Sequence, residues 1–208
     1  MNIEQLFENN RNWIQSKLKS DDQYFEKLAS GQQPKILYIG CSDSRVTAEE
    51  IIGLEPGEAF IHRNVANLVN NVDLNVMSVI NYALDHLKVD HVVVCGHYNC
   101  GGVKAAMQSA DLGILNPWLR NIRDVYRMHM DELNAISDEG KRYDRLVELN
   151  VEEQCFNVLK TAAVQRGVRE RGVTVHGWVF DLRTGELIDQ KIDFQTKLDK
   201  IREIFRLD

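Results

Sequence analysis

The stretch ILYIGCSDSR, residues 36–45, joins a run of apolar residues to three reactive side chains. The apolar half is typical of a strand that is covered on both faces of a sheet. Cys41, Asp43 and Arg45 follow at alternate positions, and each of them is costly to desolvate singly. Because alternate side chains of an extended segment point the same way, this stretch predicts a buried strand that ends at a reactive centre.

A second polar cluster closes another apolar strand. The stretch HVVVCGHYNCGG, residues 91–102, places His97 and Cys100 where the chain leaves a strand and turns into a helix. Ligands of such sheets bind outside the carboxyl ends of the strands, so these two side chains are expected to converge with Cys41. Two thiolates and one imidazole form a zinc-binding set with one open position, which is typical of catalytic zinc sites.

The sequence leaves three interpretations of Asp43 open. Its side chain leans the same way as that of Cys41, so the carboxylate is a candidate for the fourth zinc ligand. Arg45 offers the same carboxylate a bidentate ion pair instead. A third interpretation is an ordinary loop salt bridge, which stabilises a protein little when it is exposed.

The rest of the chain alternates predicted strands with predicted helices. Strands are predicted at 35–40, 58–67, 91–96, 173–181 and 186–194, the last two flanking the turn LRTG. Helices are predicted at 46–54, 73–87 and 195–206 and over most of 103–166, where the last helix starts at Asn150 and ends before Gly167 or Gly172. This order predicts an α/β fold whose mostly parallel central sheet has an antiparallel edge and flanking helices.

The chain of 208 residues is predicted to be a single domain. That length suffices for one core that buries about 70% of the surface of the unfolded chain. Residues 1–30 are expected to form a helical N-terminal arm, and residues 31–208 the α/β core. The apolar stripe of the arm packs either on its own core or on a partner subunit, and the sequence leaves both open.

Composition argues against several classes of partner. The net charge is -6 without a basic stripe, which argues against nucleic acid and anionic membranes as partners. No apolar run approaches the ~20 residues of a membrane span, and the N-terminus lacks the pattern of a secretory signal. A cytoplasmic location is therefore predicted, in which cysteines bind metals, act in catalysis or fill the core. Cys95 and Cys155 are expected to fill the core.

The motifs CSDSR and GHYNCGG, together with the blocks GLEPGEAFIHRNVANLV, VELNVEEQ and VHGWVFD, resemble the β-class carbonic anhydrases, and the bacterial members in particular. The resemblance implies one Zn²⁺ per chain, held by Cys41, His97 and Cys100. It also implies that Asp43 and Arg45 form a catalytic dyad that gates the fourth zinc position. The implied reaction is the reversible hydration of carbon dioxide to bicarbonate and a proton by zinc-bound hydroxide, in a homodimer or homotetramer.

The resemblance also implies where carbon dioxide and bicarbonate bind. The positions that match the carbon dioxide pocket of the family, which lies partly across a dimer interface, are Gln32, Phe60, Val65 and Tyr82. Gly101 and Gly102 are expected to offer backbone N–H groups to a bicarbonate oxygen.

A regulatory site is a further hypothesis. Some bacterial members of the family bind bicarbonate at an inhibitory site built from a tryptophan, an arginine and a tyrosine. Arg63 matches the arginine, whereas Tyr38 and Phe180 stand at the other two positions. Phe180 has no hydroxyl group with which to bind an anion.

Three other functions are compatible with the same residues. The chain could be a zinc-stabilised scaffold or bicarbonate sensor, although an open coordination position argues against a purely structural site. An enzyme with the same fold and metal could act on carbon disulfide or carbonyl sulfide. Cys41 and Cys100 could also form a thiol redox switch, which would make the activity depend on reductant even when zinc is present.

Overall fold

The computed structural model describes residues 2–207, apart from the side chains at positions 198, 200 and 202. The chain divides into two compact units, Met1–Gln33 and Pro34–Asp208. The boundary lies close to the predicted end of the N-terminal arm at residue 30. The assignment of the whole chain to a single domain stays a prediction.

The first unit consists of two helices, α1 (Ile3–Ser20) and α2 (Tyr24–Ala29). Trp13 of α1 packs edge-on against Phe25 of α2, with ring centroids 5.3 Å apart. No residue within these two helices is buried. Apolar side chains that remain exposed along them are Ile3, Leu6, Phe7, Trp13, Leu18 and Leu28.

The second unit is built on a sheet whose described strands lie in the order β2-β1-β3-β4-β5. They are β1 (Ile36–Cys41), β2 (Ala59–Asn64), β3 (His91–His97), β4 (Thr174–Phe180) and β5 (Leu187–Asp189). The first four strands are mutually parallel and β5 pairs antiparallel with β4. The predicted mostly parallel sheet with an antiparallel edge is therefore confirmed.

Helices flank this sheet. They are α3 (Ala48–Ile52), α4 (Leu74–Asn81), α5 (Gly101–Ala106), α6 (Leu115–Met128), α7 (Met130–Ala135), α8 (Glu139–Leu159), α9 (Ala162–Arg171) and α10 (Phe194–Phe205). A π-helical turn, Tyr82–His86, continues α4, and Asp73 caps α4 by accepting a hydrogen bond from the backbone N–H of Asn75. Among the described residues no helix has the length and apolar character that crossing a membrane requires.

The central strands are buried because helices and loops cover both faces of the sheet. In β1, Leu37 and Ile39 face the larger core, and Tyr38 faces a smaller one that it shares with Val93 and Cys95. Alternation of side chains along a strand explains this division. Cys95 and Cys155 are both buried in these cores, as expected.

Three predicted boundaries are wrong. The strand predicted at 58–67 ends at Asn64, because a 3₁₀ turn follows it at Val65–Asn67. Asn150 does not start a helix but lies within α8, where its side chain is buried and hydrogen-bonded. The helical stretch breaks near Thr161 instead. The strand predicted at 186–194 is paired over three residues only.

Candidate metal centre

The carboxyl ends of two neighbouring parallel strands bring the predicted zinc ligands together. Cys41 is the last residue of β1, His97 is the last of β3, and Cys100 directly precedes α5. The ligand atoms of these three side chains all lie within 4.8 Å of one another. In the described part of the chain no other group of three or more His, Cys, Asp or Glu residues comes together in this way.

The His97 imidazole is oriented for a ligand. Its Nδ1–H donates a hydrogen bond of 2.9 Å to the backbone carbonyl of Tyr98, which leaves the lone pair on Nε2. Nε2 is buried and has no hydrogen-bond partner in the described residues. A buried acceptor without a partner is costly, so a bound cation would satisfy it.

The spacing of the two sulfur atoms also fits zinc. Cys41 Sγ and Cys100 Sγ are 3.8 Å apart. Two sulfurs that each lie ~2.3 Å from one tetrahedral ion would be about 3.8 Å apart. The residues present therefore fit a zinc ion, with Cys41, His97 and Cys100 as its ligands.

Both thiols lie in a setting that favours metal binding. A hydrogen bond from Cys100 lowers the pKa of the Cys41 thiol, whereas the adjacent thiolate and burial raise the pKa of Cys100. A divalent cation compensates both thiolate charges at once.

Asp43 and Arg45 form a close ion pair beside this cluster. The backbone N–H and Nε of Arg45 donate to Asp43 Oδ1 at 3.0 and 2.9 Å, and Arg45 Nη2 donates to Oδ2 at 2.7 Å. These bonds hold the pKa of Asp43 well below its usual range. Asp43 Oδ2 also lies 3.7 Å from Nε2 of His97, so the carboxylate touches both the guanidinium and the ligand cluster.

Arg63 supports the loop that carries this pair. Its Nε donates to the carbonyl of Cys41 at 2.8 Å, and its Nη2 donates to the carbonyls of Asp43 at 2.6 Å and Val46 at 2.8 Å. Sequence reasoning missed this role and considered Arg63 only for the regulatory site. The pairing of Gly40 with Arg63 across β1 and β2 produces the contact, and a sequence does not show strand register.

The other two residues of the regulatory hypothesis lie in the smaller core. Tyr38 is buried, and its hydroxyl has no hydrogen-bond partner in the described residues. Phe180 is buried in the same cluster. The second bicarbonate site stays a prediction, and the guanidinium of Arg63 is already bonded to backbone carbonyls.

The residues predicted for the carbon dioxide pocket are partly exposed. Phe60 and Tyr82 lie in contact with ring centroids 5.7 Å apart, and Tyr82 and Val65 are 46% and 39% exposed. Gln32 belongs to the first unit. Phe60 and Tyr82 thus form an apolar contact within the second unit, and the use of the four positions as a pocket stays a prediction.

The two glycines differ from each other. A Cβ atom at Gly102 would lie 2.9 Å from Cγ1 of Val65, so only glycine fits there. Gly101 has open space where a side chain would stand, which is compatible with its predicted role.

Sequence reasoning also missed Tyr143 of α8. Its hydroxyl donates a hydrogen bond of 2.6 Å to the backbone carbonyl of Cys100. Tyr98, beside His97, is held in turn by a hydrogen bond of 2.7 Å from its hydroxyl to Glu148, also of α8. No motif marks Tyr143, and the block VELNVEEQ, which contains Glu148, does not show what that side chain contacts, because both residues reach the centre only through the packing of α8 on the sheet.

Comparisons with known proteins agree with this geometry. The carbonic anhydrase family model matches residues 36–187. A carbonic anhydrase of Emericella nidulans is 61% identical over 205 residues, which cover 98% of this chain and 90% of that protein. The crystal structure of a β-carbonic anhydrase of Aspergillus fumigatus superposes with a TM-score of 0.93 at 38% identity, over 99% of both chains. The chain belongs to the β-class carbonic anhydrases. The predicted family, fold and enzyme class are thereby confirmed.

This β-class carbonic anhydrase is similar to both fungal and bacterial relatives. Tetrameric β-carbonic anhydrases of Sordaria macrospora include one that superposes with a TM-score of 0.88 at 40% identity, over 91% of this chain and 96% of that one. A carbonic anhydrase of Pseudomonas aeruginosa is 36% identical, over 79% of this chain and 77% of that protein. The predicted likeness to bacterial members in particular is thus weaker than the likeness to the Emericella nidulans protein.

Proposed function

We propose that this enzyme catalyses the zinc-dependent, reversible hydration of carbon dioxide to bicarbonate and a proton, with one zinc ion per chain. The observation that carries the proposal is the convergence of Cys41 and Cys100 sulfurs on the unpartnered Nε2 of His97. A zinc ion bound there supplies the Lewis acidity that makes a water molecule nucleophilic near neutral pH. The protein contributes the ligands, the orientation of the water and the surface that receives carbon dioxide.

The ligand set also shapes the pH dependence. Two thiolates offset the formal charge of a zinc ion, whereas three neutral imidazoles would leave it uncompensated. A zinc ion at this site would therefore lower the pKa of a bound water less than a zinc ion held by three histidines. We expect activity to rise from neutral to alkaline pH for this reason.

We propose that Arg45 keeps Asp43 away from the fourth zinc position. The bidentate pair gives the carboxylate a partner other than the metal. With the position free, Asp43 can accept a hydrogen bond from the attacking water and fix its direction. If Asp43 left Arg45, its carboxylate would need to move little to become a ligand, because Oδ2 already lies 3.7 Å from Nε2 of His97.

We also propose that carbon dioxide meets the apolar surface of Phe60, Val65 and Tyr82, with Gln32 of a second copy completing the pocket in a homo-oligomer. Half-exposed Val65 and Tyr82 are available to a partner, and so are the exposed side chains of α1. The Sordaria macrospora relatives are described as tetrameric. Light scattering of the purified protein tests this, and a monomer at micromolar concentration would contradict it.

The function is tested by measuring two quantities on the same sample. Stopped-flow hydration of carbon dioxide is measured beside the zinc content per chain, with carbon disulfide and carbonyl sulfide as parallel substrates. We expect about one zinc per chain and turnover of carbon dioxide in proportion to it. Protein that holds zinc yet turns over none of the three substrates would favour the scaffold or sensor instead.

We propose a cytoplasmic location. The zinc site needs Cys41 and Cys100 as reduced thiolates, and both are free cysteines in the structure. Cell fractionation with antibodies tests this proposal. Recovery in an oxidising compartment or an organelle would contradict it.

A further inference from the structure

The loop of residues 65–69, which follows β2, has a strained backbone. Ala66 and Asn67 have φ values of 65° and 49°, in the left-handed region, which is unfavourable for alanine and which asparagine adopts more readily. Both residues are buried. Such strain persists only where the surroundings fix the backbone, and it is frequent at functional sites.

Side chains from two helices fix this loop. Trp118 of α6 donates from Nε1 to the carbonyl of Val65 at 2.9 Å. Asn150 of α8 donates from Nδ2 to the carbonyl of Ala66 at 3.1 Å. The Oε1 atom of Gln154, one helical turn further along α8, accepts from the backbone N–H of Val69 at 2.9 Å. The strained loop is thus held by specific hydrogen bonds along its length.

Asn150 and Gln154 act as a unit, which we name the buried amide pair. Gln154 Nε2 donates to Asn150 Oδ1 at 3.0 Å, and both side chains are 1% exposed. Each fixes the amide orientation of the other, so loss of either leaves buried polar groups without partners. Burying two amide side chains is costly unless they are hydrogen-bonded. Their bonds to the 65–69 loop offset this cost and hold the loop in place.

The 65–69 loop lies next to the segments that carry Cys41 and Cys100. The 3₁₀ turn at Val65–Asn67 lies directly against β1, whose last residue is Cys41. Val65 and Ala66 also pack on Gly102, where an added Cβ would lie 2.9 Å and 3.1 Å from their side chains. The loop therefore contacts both segments that carry a sulfur ligand.

We propose that Asn150 and Gln154 are positioning residues of the metal centre, which control how tightly zinc is held by keeping the 65–69 loop against Cys41. Without the pair, Ala66 relaxes out of the left-handed conformation and the loop moves away from β1 and Gly102. The segments that carry Cys41 and Cys100 then lose a contact that fixes the positions of the two sulfurs. This inference rests on the proposed zinc site and adds residues that lie outside the ligand set.

The chain offers a closely matched control. Gln165 of α9 is likewise buried, at 3% exposure, and its Nε2 donates to the carbonyls of Leu159 and Phe205. Gln154→Met and Gln165→Met make the same chemical change in the same kind of environment. Only the first removes bonds to the 65–69 loop.

The experiment compares these variants with the wild type in full-length, zinc-loaded protein. Zinc release to a chelator is timed, the thiolate-to-metal charge-transfer band is recorded after substitution with cobalt(II), and unfolding in urea gives the stability. For Gln154→Met and Asn150→Leu we expect zinc release about 10- to 100-fold faster and a shifted cobalt band. For Gln165→Met we expect a comparable loss of stability, with zinc release within about twofold of the wild type and an unshifted band.

If the variants of the buried amide pair do not fold, Trp118→Phe tests the inference instead. Trp118 is half-buried, and its replacement by phenylalanine removes the hydrogen bond to the Val65 carbonyl. Faster zinc release and a shifted cobalt band are expected for it as well. Equal release rates for Gln154→Met and Gln165→Met, or an unshifted band in every loop variant, would overturn the inference. A wild type that takes up neither zinc nor cobalt would instead overturn the proposed function.

Discussion

Arg63 Nε donates a hydrogen bond of 2.8 Å to the backbone carbonyl of Cys41, on the neighbouring parallel strand. The same guanidinium also bonds the carbonyls of Asp43 and Val46. One side chain of β2 thus holds the backbone that carries a proposed zinc ligand, Cys41, and the neighbouring Asp43.

Replacing Arg63 by methionine should loosen this loop. The change removes hydrogen bonds from a charged donor, and we expect the free energy of unfolding to fall by about 1–3 kcal/mol. Zinc affinity and turnover should fall with it. Urea unfolding and zinc titration provide the measurement.

The matched control is Arg127→Met, which removes an arginine whose exposed partner, Asp124, lies three residues away in α6. That change should cost at most about 0.5 kcal/mol and leave zinc affinity unaltered. If Arg63→Met binds zinc as the wild type does, Arg63 does not position the loop.

Loss of any zinc ligand should remove the metal together with the activity. Cys41→Ser, His97→Ala and Cys100→Ser each break a set of three ligands, and a site with two ligands no longer competes for zinc. Atomic absorption on purified protein should show well below one zinc per chain.

Cys155→Ala is the control for this prediction, because Cys155 is buried in the core outside the cluster. This variant should lose stability through its cavity yet retain zinc. A ligand variant that keeps a full complement of zinc and full turnover would show that the metal is held elsewhere.

Replacing Arg45 by alanine should preserve zinc and lower turnover. Without the guanidinium, Asp43 is free to compete with water for the fourth zinc position. Since water competes better as the pH rises, the activity of this variant should begin at higher pH than that of the wild type. Carbon dioxide hydration is measured from pH 6.5 to 9, a range far above the lowered pKa of Asp43.

A second arginine in the chain repeats the geometry of this pair. Arg183 donates to Asp181, two residues before it, from its backbone N–H and from its side chain. Arg183→Ala removes a similar ion pair and should leave the onset of activity in place. Arg45→Ala with an unchanged pH profile would refute the gating role.

The stability of the protein should fall as the pH drops from about 7.5 to 5. Burial lowers the pKa of His62 and His176, and His91 lowers that of His176 further, while Asp73 and Asp189 act in the opposite direction on His62 and His176 respectively. Their unfolded pKa values lie near 6.5, so the unfolded state binds more protons than the folded state below that pH. The stabilisation is therefore present above pH ~6.5 and lost below it.

Urea unfolding at several pH values measures this slope, and His176→Gln should reduce it. The carboxyl groups with lowered pKa values titrate at lower pH and do not enter this range. A slope that is the same in wild type and His176→Gln would exclude His176 as a source.

Removing the metal should expose the pair of ligand thiols to oxidation. Their sulfurs are 3.8 Å apart, and a disulfide requires about 2.05 Å. In zinc-free protein, oxidised glutathione should accept two electrons from Cys41 and Cys100 and join them, releasing reduced glutathione. Mass spectrometry after alkylation would detect the bond, and zinc-loaded protein is the control. Thiols that stay free in both samples would contradict this prediction.

Much of the fold is local in origin and therefore readable from the sequence. Apolar runs within the predicted strands 35–40 and 91–96 identify the buried central strands, and alternation with helices predicts that they are parallel. The paired polar motifs that end those runs predict the zinc ligands, because parallel strands place their carboxyl ends together. Of the three predicted boundaries that are wrong, the one at Asn150 failed because a polar residue inside a helix resembles a cap until its buried partners are known.

What the sequence predicted by itself is the convergence of the proposed zinc ligands, Cys41, His97 and Cys100, and the parallel sheet that gathers them, since both follow from patterns of neighbouring residues. Tertiary structure alone decided what holds that set in place. Arg63 reaches the segment from Cys41 to Val46 through strand register. Through the packing of α8, Tyr143 reaches Cys100, and Asn150 and Gln154 reach the 65–69 loop. Contacts of this kind join residues far apart in the chain, so even the block VELNVEEQ, which contains Asn150 and Gln154, does not show what their side chains touch.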